Sequence, residues 1–68
     1  MDSPVYKMIE VVGTSTKSVD DAIQNAVSRA SDTVRKMQWF EVSEMSGRIK
    51  DGSVSQFQVK LKIGFSIE

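Results

Sequence analysis

The sequence predicts an α+β domain in the order strand, helix, strand, strand, a three-stranded antiparallel sheet with its one helix on one face. Three observations carry this expectation. From Phe57 to Ile67 apolar residues alternate strictly with polar or small ones, the period-two signature of a strand with one buried face. From Val19 onward apolar and small residues recur at helical spacing. Between the two β-rich runs of the C-terminal half stands Asp51-Gly52, a dipeptide that favours the type I′ turn of a tight hairpin.

The elements follow in chain order. Val5 to Val12 is rich in β-branched and aromatic residues, is bounded by Pro4 and Gly13, and reads as the first strand. Gly13 to Lys17 is polar and reads as a connection. Ser18 precedes Asp21 by three residues, a capping box with aspartate in place of glutamate, so a helix starts at Val19. Its stripe of Val19, Ala22, Ile23, Ala26, Val27, Ala30, Val34 and Met37 carries it to about Gln38. A second strand runs from Trp39 to the Asp51-Gly52 turn, and the alternating third strand follows. No repeat or low-complexity segment interrupts the chain, and residues 1–68 form one domain. A single helix leaves the other sheet face open.

Composition narrows the function. A chain of 7.6 kDa exposes roughly 11,000 Å² extended and about 4,300 Å² folded. Apolar burial then stabilises by about 100 kcal/mol, and ordering the chain costs about the same. Such a monomer needs disulfides, a structural metal or partner subunits. With no cysteine and no histidine the first is impossible and the second lacks its usual ligands, which leaves self-association. The same absences remove Ser-His and Cys-His nucleophiles and thiol redox chemistry. Nine basic and nine acidic residues cancel, and a pI near 6.2 argues against a nucleic-acid partner. No apolar run approaches a membrane span or a signal peptide's core, and Met1 to Pro4 is short and polar, so a cytoplasmic location is expected.

The register of a two-residue hairpin loop places Val42 opposite Leu61 and Phe40 opposite Ile63 on the helix side. On the other face Glu41 meets Lys62, and Trp39 meets Gly64, beside a residue with no side chain. Trp39 thus points away from the helix, either to pack against a neighbouring subunit or to serve as a stacking platform for a flat ligand. Gln58 lies on that face and offers an amide that both donates and accepts. Gly64 and Gln58 are about 20 Å apart along a strand, so Trp39 and Gln58 of one chain cannot both touch one ring. Joint action requires two subunits. Glu10, Glu41, Glu44, Lys60 and Lys62 read as a solvated or interfacial strand face, and nothing forms a general acid and base pair.

VVGTS at Val11 to Ser15, AIQNAVSRASDTVR from Ala22, WFEV at Trp39 to Val42 and FQVKLKIGF from Phe57 to Phe65 together resemble the bacterial dodecins over essentially the whole chain. The resemblance implies a sheet wrapped on one helix, a hollow assembly of twelve subunits and flavin binding without turnover. It also implies that a tryptophan opening the second strand stacks on the isoalloxazine ring and that a glutamine of the third strand hydrogen-bonds the ring edge, which match Trp39 and Gln58. Two arginines that many bacterial dodecins place near the flavin's phosphate-bearing tail match Ser46 and Ser66 here, and Glu44 matches an acidic position near the flavin in some relatives. An unbroken strand puts Ser46 on the face opposite Trp39, so either Ser46 is outside the site or Gly47 marks a bulge. The implied function is flavin storage, sequestration and photoprotection, with riboflavin, FMN or FAD as ligand and coenzyme A at a possible second site. The alternative is a structural or interaction module whose open sheet face serves only oligomer assembly. An enzyme would need a polarised acid, base or thiol beside the ring, which this chain supplies poorly.

Overall fold

The computed structural model describes residues 3–67; Met1, Asp2 and Glu68 lie outside them. The elements are β1 (Tyr6–Ser15), α1 (Val19–Ala30), β2 (Met37–Lys50) and β3 (Ser53–Ser66). They form a three-stranded antiparallel sheet of order β1-β3-β2. The strictly alternating strand is therefore central. Its odd residues Val59, Leu61 and Ile63 make the core with Ala22 and Ala26 of α1, and Ile9, Val11, Val27 and Met37 pack around them.

Ser18 caps α1 as the sequence predicts, its hydroxyl accepting the Asp21 N–H at 3.0 Å. The aspartate does not complete a capping box. Its carboxylate accepts instead from the buried Ser15 hydroxyl at 2.6 Å, and Ser15 Oγ accepts the Lys17 N–H at 2.8 Å. This lock belongs to a longer β1 than expected: Gly13, Thr14 and Ser15 pair with Val59, Gln58 and Phe57, so the polar stretch continues the strand. Gly13 has no room for a side chain, because a Cβ there would lie 2.1 Å from the Ala22 carbonyl oxygen and 2.8 Å from Ala26 Cβ. Helix and strand touch backbone to backbone at that point.

The helix ends at Ala30 rather than near Gln38. Ser31, Asp32 and Thr33 compete for the backbone: the Ser31 hydroxyl donates to Ser28 O at 2.6 Å, and the Asp32 N–H turns back to Arg29 O at 3.1 Å. Lys36 then takes a left-handed φ of 61° and sends the chain into β2, which opens at Met37, two residues before the expected start. The helical stripe extended through Val34 and Met37 because the Val34 N–H still reaches Ala30 O at 2.9 Å, while Met37 packs on the core from β2.

The hairpin turn is as expected, with Asp51 at φ 52° and Gly52 at φ 81°, the two positive angles of a type I′ turn. Val42 pairs with Leu61, Phe40 with Ile63, Glu41 with Lys62 and Trp39 with Gly64, also as expected. Between these pairs and the turn the register slips twice. Ser43 is an extra residue in β2 and Ser55 an extra residue in β3, so the two slips cancel; Gln38 is a third extra residue, before Trp39.

A helix of 12 residues is about 18 Å long, whereas strands of 14 residues reach about 46 Å. The helix covers β1 and β3 and leaves β2 bare. Phe40, Val42, Met45, Ile49 and Val54 stay exposed on the helix side, with Met45 60% and Ile49 77% accessible. The greasy face thus meets the helix only over its middle. The surface of 4971 Å² exceeds the about 4,300 Å² of a compact chain this size, and the radius of gyration of 14.2 Å exceeds the usual about 11 Å.

Gly13→Ala is expected to destabilise the chain by about 1 to 3 kcal/mol or more, since the added methyl meets helix backbone that cannot yield. A lower urea midpoint with an unchanged slope checks it, and an unchanged midpoint contradicts the close packing.

Candidate ligand-binding face

The sheet face turned away from α1 carries the predicted site residues. Because Gln38 is an extra residue, β2 changes phase after Met37, and Trp39 points outward above Gly64. Three adjacent carbons of its six-membered ring, Cη2, Cζ2 and Cζ3, all lie 2.5–2.6 Å from where a Cβ on Gly64 would sit. The ring therefore lies flat on the glycine. Its Nε1–H donates to Glu41 Oε2 at 3.0 Å, and Tyr6 of β1 meets it T-shaped, with ring centroids 5.1 Å apart and planes at 86°. The indole remains 38% exposed. Ser66, opposite Tyr6, lies at this same end of the face, its backbone N–H bonded to Lys36 O at 3.1 Å.

The second group lies past the Ser43 bulge. There the alternation of β2 resets, so Glu44, Ser46 and Arg48 point to the same face as Trp39 and Glu41, opposite Lys60, Gln58 and Gln56. Ser46 is thus on the same face as Trp39, and the bulge that brings it there is at Ser43, not at Gly47, which pairs regularly with Phe57. The Ser43 hydroxyl fixes the bulge by donating to Lys60 O at 3.1 Å. Glu44 is bonded to Lys60 at 3.2 Å, an exposed pair that contributes at most about 1 kcal/mol. Gln58 is half-buried between Ser46 and Thr14.

The structure therefore brings Glu44, Ser46 and Gln58 together, and Trp39 near Ser66, but not the two groups to each other. Six residues of β3 separate the row of Gly64 from that of Gln58, about 20 Å. Tyr6 was not anticipated from the sequence. It becomes visible only through the β1 and β3 register, which places Tyr6 beside Ser66 and Met8 beside Gly64. Glu41 was anticipated as a strand-face charge and not as the indole's partner. Among the described residues no group of three or more carboxylate, histidine or cysteine side chains could hold a metal ion. The exposed ring at one end of the face and the amide, hydroxyl and carboxylate at the other are groups that suit a polar aromatic molecule, but one chain does not bring them to the same place.

A single-helix βαββ chain displaying an aromatic ring on the uncovered side of its sheet is a recognisable class of small protein. The family model described as Dodecin matches residues 5–68. The dodecin of Thermus thermophilus is 47% identical over 64 residues, covering 94% of this chain and 93% of that protein. The calcium dodecin of Mycobacterium tuberculosis is 32% identical over 63 residues, covering 93% and 89%. The structure of dodecin from Streptomyces coelicolor superposes with a TM-score of 0.93 at 53% identity, covering 100% of this chain and 97% of that one. The chain belongs to the dodecin family.

Gly64→Ala should lift the indole, because its new methyl would stand 2.5 Å from Cη2. The expected result is loss of the near-ultraviolet circular dichroism of the Tyr6 and Trp39 pair with the far-ultraviolet spectrum retained; an unaltered near-ultraviolet spectrum contradicts the flat seating.

Proposed function

We propose that this protein binds flavin for storage, sequestration and photoprotection. The ring of riboflavin, FMN or FAD stacks on the outward face of Trp39, which quenches its excited state, and Gln58 of a second subunit hydrogen-bonds its edge. The observation that carries this reading is the indole laid flat on Gly64, one face supported and the other turned outward. The 20 Å between Trp39 and Gln58 along the strand requires a second copy, and the bare apolar side of β2 gives the copies a reason to associate. The assembly is a homododecamer of about 90 kDa, twelve chains of 7.6 kDa. Binding, not catalysis, is its role.

Trp39→Ala tests this on protein first shown by light scattering to have that mass. A base-sized aromatic stack is worth about 1 to 3 kcal/mol, so flavin affinity should fall about 5-fold to 150-fold, and the flavin's emission should recover. An assembled variant that binds and quenches as before makes Trp39 mere packing and leaves the face to assembly alone.

Ser46 and Ser66 define the second test. Serine offers one neutral donor, without the charge-assisted, bidentate grip of arginine on phosphate. Riboflavin should therefore bind about as tightly as FMN, with a shallow salt dependence. An FMN preference above about 30-fold that disappears at high salt would show a cation on the phosphate, with Arg48, Lys60 or Lys62 as its source. Because Ser46 shares the ligand face, Ser46→Arg should raise FMN affinity selectively.

A further inference from the structure

The indole of Trp39 stands on an open sheet face, yet each strand supplies one support for it. Gly64 of β3 is the floor, Glu41 of β2 accepts the Nε1–H at 3.0 Å, and Tyr6 of β1 meets the ring T-shaped at 5.1 Å. The contact with Tyr6 spans the sheet from one edge strand to the other. Any side chain on Gly64 would push the indole off the sheet from beneath. A tryptophan without these contacts would move among the rotamers open to an exposed side chain.

We propose that Tyr6 and Glu41 are positioning residues of the ligand site, acting through Trp39 by fixing its indole in the stacking orientation before a ligand arrives. The proposal rests on the flavin reading above and names two residues that give that site its affinity. A ring that is already ordered spares the ligand the cost of ordering it, a factor of about 2-fold to 12-fold in affinity per side chain. Tyr6 acts through its ring, since the T-shaped contact needs the aromatic edge and face. Glu41 acts through its acceptor oxygen.

Trp39 is the chain's one tryptophan, so intrinsic fluorescence reports on this ring alone. The experiment measures two quantities on assembled protein for Tyr6→Leu, Tyr6→Phe, Glu41→Ala and Glu41→Gln: the tryptophan anisotropy without ligand, and the affinity for riboflavin. Tyr6→Leu and Glu41→Ala should each lower the anisotropy and weaken riboflavin binding about 2-fold to 12-fold. Tyr6→Phe, which keeps the ring, and Glu41→Gln, which keeps an acceptor, should stay close to the parent in both. Unchanged anisotropy in Tyr6→Leu and Glu41→Ala overturns the proposal. So does a loss of affinity in Tyr6→Phe equal to that in Tyr6→Leu, which would make the hydroxyl a direct ligand contact. Should Tyr6→Leu fail to assemble, the exposed Glu41→Ala decides. A parent protein that takes up no riboflavin refutes the flavin reading, while the anisotropy still decides whether Tyr6 and Glu41 hold the indole.

Discussion

The open face of this sheet depends on Ser43 being bulged out of the strand pairing. In an unbroken strand a shift of one position sends every later side chain to the other side. Were Ser43 to take a regular place in the ladder, Glu44, Ser46 and Arg48 would join the helix side, and Met45 and Ile49 would take their places in the open. With Ser43 bulged out of the pairing, Trp39, Glu41, Glu44 and Ser46 share one face with Gly64, Lys62, Lys60 and Gln58. The insertion has its own support, since the Ser43 hydroxyl donates to Lys60 O across the pair. Ser55 repeats the device on β3, where its hydroxyl donates to Arg48 O at 3.3 Å. The two insertions cancel, so the strands meet again in register at Lys50 and Ser53, and a two-residue turn suffices.

Length imposes the second constraint. The helix, less than half as long as β2 and β3, packs on β1 and β3 and leaves most of β2 uncovered. A chain with extents of 55 × 21 × 14 Å cannot enclose its own apolar surface. Phe40, Val42, Met45 and Ile49 form a contiguous apolar strip on the bare side of an edge strand, the arrangement natural proteins avoid unless something covers it. The energetic balance of so small a chain points the same way, because burial and ordering are of similar size before any partner is counted.

Much of this was legible in the sequence. The central strand, the helix cap, the type I′ turn and the pairing of Trp39 with Gly64 follow from alternation, a serine three residues before an aspartate, and Asp51-Gly52. The bulges left only a change of phase, with apolar residues on even positions at Phe40 and Val42 and on odd ones at Met45 and Ile49, and a like shift between Val54 and Phe57; the one bulge expected, at Gly47, was misplaced, and those at Ser43 and Ser55 were not anticipated. One insertion on each strand leaves the turn register intact beyond them, which is why pairs deduced from the turn hold for Val42 and Leu61 despite the slips. The helix end was hidden by coincidence, with Met37 returning to the core from a strand at the position a longer helix would have used. Tyr6 was hidden because β1 pairs with a strand far along the chain, and no local pattern sets that register.

On the proposed reading, separation of the site into two groups ties ligand binding to assembly. A ring resting on Trp39 has one face covered by its own subunit, and that subunit's Gln58 lies six residues farther along β3. Its other contacts must come from a second copy. Whatever binds the assembled form and not the free chain stabilises the assembly by mass action. On the proposed reading, flavin and subunit association therefore share one equilibrium: each subunit contact completes a site, and each filled site strengthens a contact between chains that are marginal alone. Such a protein can hold its cargo with no catalytic group beside it. On the same reading, release of the ring needs only a fall in free ligand, which weakens the shared equilibrium.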